Sequence, residues 1–198
     1  MQIYNQKKDS YIQAWDLYDP HKRYNTEYDN RPLDYFDDRV TKARKNLVIN
    51  KCDIKNSFDY GCGMKPFHYN QETGESLCKG LWDKYVPKFQ KFDSQAFFNS
   101  STLLLFDVIE HFYDPQSFLL TLPHRCVIMT LPIVPFEQFN SLDQIKDWKH
   151  YKPGEHLLYT NEEGIIDIIE ESGWELDYLG YDECPPRENI ASIVIRRK

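Results

Sequence analysis

The sequence predicts an α/β domain whose parallel sheet is covered by helices on both faces. Three observations carry this expectation: short, nearly continuous apolar runs, helical patterns between them, and a two-glycine bend directly after the first run. Strands buried on both faces read as continuous apolar runs, because neither side of the pleat meets water.

Residues 1–50 form a first segment in which Tyr4, Tyr11, Tyr18, Tyr24, Tyr28 and Tyr35 are interleaved with charges and no strand pattern emerges. Within it Leu33, Phe36, Val40, Ala43 and Leu47 recur at spacings of three and four, one apolar face of a helix. Such a helix can pack on the sheet, or the aromatic residues can form a lid over a pocket. Residues 51–198 carry the sheet. Ile54 to Tyr60 is the first strand and ends at Gly61; Leu77 to Trp82 is the second and ends at Asp83. No third strand emerges between Asp83 and Leu103. Thr102 to Ile109 is apolar apart from Asp107, and Cys126 to Leu131 is closed by Pro132. Glu162 to Ser172, with Ile165, Ile166, Ile168 and Ile169, predicts a helix stopped by Gly173. Trp174 to Gly180 and Ile190 to Ile195 then form an antiparallel pair around the Pro185-Pro186 turn.

Composition narrows the function. The 198 residues include 24 basic and 31 acidic side chains, a formal charge of −7, which speaks against a partner whose binding depends on neutralising a phosphate backbone. A hydrophobic share of 41% is too high for a disordered chain. No apolar stretch approaches the roughly 20 residues that cross a bilayer, and no secretion leader is expected. The five cysteines form no C-x-x-C pair and read as reduced thiols. A cytoplasmic protein without a membrane partner is expected.

Two of the eight glycines sit in Phe58-Asp59-Tyr60-Gly61-Cys62-Gly63, where a strand must turn sharply and its backbone can approach a ligand. Asp83 follows Asp59 by 24 residues, at the end of the next strand, where a carboxylate can accept hydrogen bonds from ribose hydroxyls. A dinucleotide or nucleoside triphosphate site would need a third glycine or a Gly-Lys-Ser/Thr ending, and neither is present. Asp59 would repel a phosphate but suits an ammonium. Ribose, ammonium and no phosphate together describe S-adenosylmethionine.

These residues, with Trp82-Asp83-Lys84-Tyr85-Val86-Pro87, Phe106-Asp107-Val108-Ile109-Glu110-His111-Phe112, Thr130-Leu131-Pro132, the stretch from Trp148 to Leu157 and Gly173-Trp174, resemble the class I S-adenosylmethionine-dependent methyltransferases over residues 55–180. The resemblance reaches the type 11, 12 and 23 small-molecule enzymes, including those like the ubiquinone-biosynthesis O-methyltransferases. It implies a Rossmann-like, mostly parallel seven-stranded sheet with a terminal antiparallel strand. It further implies that Asp59, Tyr60, Gly61, Gly63, Asp83, Lys84, Phe106 and Asp107 line the cofactor site, with Asp59 at the methionine amino group and Asp83 on the ribose. Family members commonly carry a small residue where Lys65 stands, so Lys65 either pairs with the cofactor carboxylate or points to solvent.

Asp107, Glu110 and His111 lie at the end of the apolar strand, the edge where open α/β sheets bind ligands. Three readings stand side by side. Glu110 and His111 orient the loop; His111 acts as general base, suited by its near-neutral pKa; or Asp107, Glu110 and His111 hold a divalent metal such as magnesium. The last resembles the acid-x-x-Glu-His motif of ubiquinone-biosynthesis and small-RNA methyltransferases, with Asp107 one methylene shorter than the usual Glu. His156, in the loop that also contains His150, is a second catalytic candidate. His21, His68 and His124 read as structural or solvated, and Cys62 as a packing residue. The expected activity is transfer of a methyl group to an O or N of a small-molecule acceptor, with residues 1–50 as helical lid and 51–198 as the cofactor-binding domain. Alternatives are a non-catalytic S-adenosylmethionine-binding sensor or partner subunit, and methylation of nucleic acid or protein. Nothing in the sequence addresses the oligomeric state.

Overall fold

The computed structural model describes residues 11–13, 38–139 and 142–198. Most of the tyrosine-rich segment, His21 and the first part of the Leu33-to-Val48 pattern lie outside the described residues. Helix α1 (Asp38–Lys51) carries the rest of that pattern and buries Val40, Leu47 and Val48. Its first-turn Asp38 and last-turn Lys51 oppose the partial charges of the helix ends.

The central sheet contains β2 (Ser57–Tyr60), β3 (Gly80–Trp82), β4 (Thr102–Phe106), β5 (Cys126–Pro132), β7 (Trp174–Gly180) and β8 (Ile190–Arg197), in the order β3-β2-β4-β5-β8-β7. Strands β3, β2, β4 and β5 pair in parallel, while β8 runs antiparallel to both β5 and β7. The last strand therefore does not finish the sheet at its edge but enters between β5 and β7. Alternate residues serve opposite faces, as the two-residue pleat requires. Phe58, Leu103, Leu105, Val127 and Met129 pack with Leu119 of α3 (Pro115–Thr121) and Ile165 and Ile168 of α4 (Glu162–Glu171). Leu104, Phe106 and Ile128 pack beneath Leu47 and Val48 of α1. Asp114 and Asn161 cap α3 and α4, their side chains accepting from Ser117 N and Gly164 N at 2.9 Å each.

Two differences from expectation bear on the site. Among the described residues the sheet has six strands, not seven. After Asp83 the chain folds as a 3-10 turn at Pro87–Phe89 and a short helix α2 (Ser94–Phe98), so no strand lies beyond β3 among the described residues. Pro87 lacks the donor a central strand needs, and Lys84, Lys88, Gln90 and Lys91 deny that stretch the apolar run of its neighbours. In addition, the crossover from β2 to β3 contains no helix. It runs as turns to an Asn70–Glu75 tip, where the Asn70 side chain accepts from Glu72 N at 2.9 Å, and Tyr69 bridges Ser76 on the way back. A separate two-stranded pairing sets β1 (Tyr11–Gln13) antiparallel to β6 (Leu158–Thr160). No helix among the described residues is long and apolar enough to cross a membrane.

Candidate active site

At the C-terminal edge of β2, β3 and β4 lies a cavity of about 330 Å³. Every residue singled out from the sequence lines it: Asp59, Tyr60, Gly61, Gly63, Asp83, Lys84, Phe106 and Asp107, together with Glu110, His111 and His156. Gly61 and Gly63 make the bend at φ +77° and +69°, and Gly61 N and Cys62 N donate to Trp82 O at 2.8 and 3.1 Å. A Cβ at Gly61 would stand 2.6 Å from Val108 Cγ2, so only glycine lets the bend pass under the residue that follows Asp107.

The two carboxylates beside the bend differ. Asp83 is buried and already accepts three backbone donors: Gly63 N on Oδ2 at 2.8 Å, and Tyr85 N and Val86 N on Oδ1 at 2.8 and 3.0 Å. With two lone pairs per oxygen, Oδ1 is filled and Oδ2 keeps one acceptor position for a ligand. Asp59 is the reverse case. Its Oδ2 meets His68 Nε2 at 2.7 Å, while Oδ1 is buried with no hydrogen-bond partner. A buried acceptor without a donor costs about 1–3 kcal/mol, an unusual arrangement unless a bound group supplies the donor. His68, read as structural or solvated from sequence, is buried against the cofactor candidate Asp59. No periodicity or motif marked it, because it stands in the turn-rich crossover.

Burial pushes the Cys62 thiol far up, helped by the negative charges of Asp59 and Asp83, which leaves it a packing group and no nucleophile.

Asp107 takes up φ +56°, a region that Asp and Asn tolerate better than other side chains. Its carboxylate accepts from Arg44 Nη2 at 2.7 Å and from Arg187 Nη1 and Nη2 at 2.8 and 3.1 Å. Glu183, buried, accepts from Arg44 Nε at 2.6 Å and Arg187 Nη1 at 2.7 Å. Burial alone would raise the Asp107 carboxyl, but the Arg187 and Arg44 guanidiniums outweigh it and hold the group well below the usual carboxylate range. Arg44, Glu183 and Arg187 were not legible as site residues, since they lie 63, 76 and 80 positions from Asp107 in the chain.

The ion pairs separate Asp107 from the expected metal set. The side chains that converge are Glu110, His111 and His156, whose ligand atoms all lie within 4.8 Å of one another. Glu110 Oε2 and His156 Nδ1 are buried without partners. Burial, with the Asp107 charge beside it, keeps the Glu110 carboxyl protonated well above the ordinary range. Burial and the neighbouring His111 push His156 well down. His111 Nδ1 donates to the Glu155 carbonyl at 2.8 Å, so a further proton on the ring would go to Nε2. His150 Nε2 donates to the Glu188 carbonyl at 3.0 Å, and burial pushes its ring down. His124 is buried among core residues and pushed down to about 4 by burial, as a structural histidine would be.

No family model and no curated protein sequence matches the chain. Solved structures do. The chain is similar to 1,6-didemethyltoxoflavin-N1-methyltransferase of Burkholderia thailandensis, crystallised with bound 1,6-didemethyltoxoflavin and S-adenosylhomocysteine, at 9% identity and a TM-score of 0.56, covering 87% of this chain and 84% of that one. Magnesium protoporphyrin IX methyltransferase of Synechocystis PCC 6803, with bound S-adenosylhomocysteine, aligns at 13% identity and a TM-score of 0.52 over 81% of this chain and 82% of that one. TnmH aligns at 12% identity and 0.52, and the chain spans 55% of its length. The chain shares the fold of these methyltransferases.

Proposed function

We propose that the protein binds S-adenosylmethionine in this cavity and transfers its methyl group to an O or N atom of a small molecule. The observation that carries the reading is the buried, unpartnered Asp59 Oδ1 beside the glycine bend: it fits an ammonium group and would reject a phosphate. Asp83 Oδ2 keeps one acceptor position for a ribose hydroxyl, and Tyr60, Trp82 and Phe112 give that end of the cavity aromatic walls.

When bound, the sulfonium supplies an already activated methyl group. The chain has then to hold the acceptor in line and exclude water, and alignment of this kind is worth about 7–11 kcal/mol. A general base adds about 10²–10⁴-fold. His111 is the base, its Nε2 taking the acceptor proton while Nδ1 stays on the Glu155 carbonyl. His156 packs edge-on to it, ring centroids 4.9 Å apart, and lines the acceptor side. Residues 1–50 serve as lid: β1 lies on β6, two residues after His156, and Leu157 N donates to Glu110 O at 2.8 Å, which brings the N-terminal chain to the mouth of the site.

One observation favours a metal-assisted variant of this reading. The two unpartnered buried atoms of Glu110 and His156, with His111 beside them, make a two-imidazole, one-carboxylate set that suits a divalent transition metal better than the magnesium expected from the sequence, whereas Asp107 is committed to its guanidiniums. Glu110, His111 and His156 would hold the ion, which would polarise an acceptor oxygen; Glu110 must first lose its proton.

Titration calorimetry with S-adenosylhomocysteine tests the cofactor reading. Saturable binding with no heat from NAD is expected; absence of binding, or preference for the diphosphate ligand, overturns it.

A further inference from the structure

We infer that His68 is a positioning residue for cofactor capture, holding Asp59 so that one carboxylate oxygen is kept for the ligand's ammonium; the inference rests on the cofactor reading above. The hydrogen bonds run in one direction. Cys78 N donates to Ser76 Oγ at 3.0 Å, Ser76 Oγ lies 3.0 Å from His68 Nδ1, and His68 Nε2 lies 2.7 Å from Asp59 Oδ2. With Ser76 Oγ donating to Nδ1, Nε2–H donates to Asp59 Oδ2 and leaves Oδ1 for a cation.

The ring is oriented opposite to that of a Ser-His-Asp hydrolase, where serine meets Nε2 and the acid meets Nδ1. Here Ser76 is also an acceptor for backbone, so it serves as a brace and not as a nucleophile. The crossover shows how the brace is built. This chain has no helix between β2 and β3. Instead, the turn-rich segment closes on itself at the Tyr69–Ser76 bridge and brings His68 back to the end of β2. Phe67, edge-on to Phe106 with centroids 5.7 Å apart, packs the segment against β4, so His68 is held from both sides.

The test compares two ligands, one with and one without the amino-acid end whose ammonium Asp59 would hold. S-adenosylhomocysteine carries the ammonium; 5′-methylthioadenosine keeps the nucleoside and thioether but lacks the amino acid. For His68→Leu, the Kd of S-adenosylhomocysteine should rise about tenfold to a hundredfold, the range expected for a hydrogen bond to a charged group, while that of methylthioadenosine stays within about twofold. His68→Gln, whose amide nitrogen can donate from about the place of Nε2, should restore most of the difference. Ser76→Ala, at a half-buried position, should give a smaller loss of the same selective kind and serves should His68→Leu fail to fold. Equal losses for both ligands, or no loss for either, overturn the inference while leaving the cofactor reading intact. A wild-type protein that binds neither ligand overturns the cofactor reading itself.

Discussion

Replacing Asp107 by Asn removes one charge from the four-membered ion cluster while keeping the side chain's size and its tolerance of positive φ. In the wild type, Asp107 and Glu183 share Arg44 and Arg187, and all four side chains are at most 18% exposed. Taking one partner from a buried ion pair costs about 3–5 kcal/mol. Glu183 still compensates part of the positive charge in the variant, so the lower end, about 3 kcal/mol, applies. A chain of this length moves about 2–4 °C per kcal/mol, which converts to a fall in Tm of about 6–12 °C. The sign of the pH dependence follows from the depressed carboxyl. The unfolded group titrates near 3.8 and the folded one well below it, so the stabilisation is complete above the unfolded value and is lost as pH falls through the acid range. Thermal unfolding followed by circular dichroism should therefore show the full gap between wild type and Asp107→Asn at neutral pH and a narrowing gap below about pH 4. A Tm unchanged within about 1 °C, or a gap that persists unaltered in acid, would refute the reasoning.

Gly61→Ala should lose S-adenosylhomocysteine binding and cost about 1–3 kcal/mol, because φ +77° and a Cβ 2.6 Å from Val108 Cγ2 strain the bend; calorimetry and a melting curve check both, and wild-type binding would show that the bend does not carry the ligand. Glu110→Gln should become stabilising relative to wild type as pH rises past the unfolded value of 4.5, since the wild-type fold keeps the carboxyl protonated, first through burial and then through Asp107, while Arg187 and Lys152 only partly oppose this. Melting curves in chelator from about pH 4 to 8 measure it, and a Tm difference flat with pH would count against a protonated Glu110.

The sheet was legible because burial on both faces leaves a local trace: β5, β7 and the helix α4 appear in the sequence almost at their observed limits, and β8 extends its predicted run by two residues. The glycine bend and both acids beside it were legible for the same reason, since backbone conformation and strand ends are local properties. The partners of those acids were not. An acid within the apolar run of β4 demands a countercharge, so Asp107 announced that a cation must exist, but nothing near it in the chain named Arg44 or Arg187. The missing strand after Asp83 was legible too, since no apolar run stands there, and seven strands were expected only from the resemblance; the helix-free crossover escaped a reading by periodicity, because turns such as Asn70–Glu75 are specified by side-chain hydrogen bonds and leave no period. His68 was lost with them, and with it the arrangement that leaves one Asp59 oxygen open.

The ion cluster ties α1 and the end of β4 to the segment that joins β7 and β8. On the ribosome, Arg44 and Asp107 leave the exit tunnel well before Glu183 and Arg187 do. The nascent chain can thus lay down the glycine bend early, but one wall of its chamber stays incomplete until the segment between β7 and β8 has emerged as well.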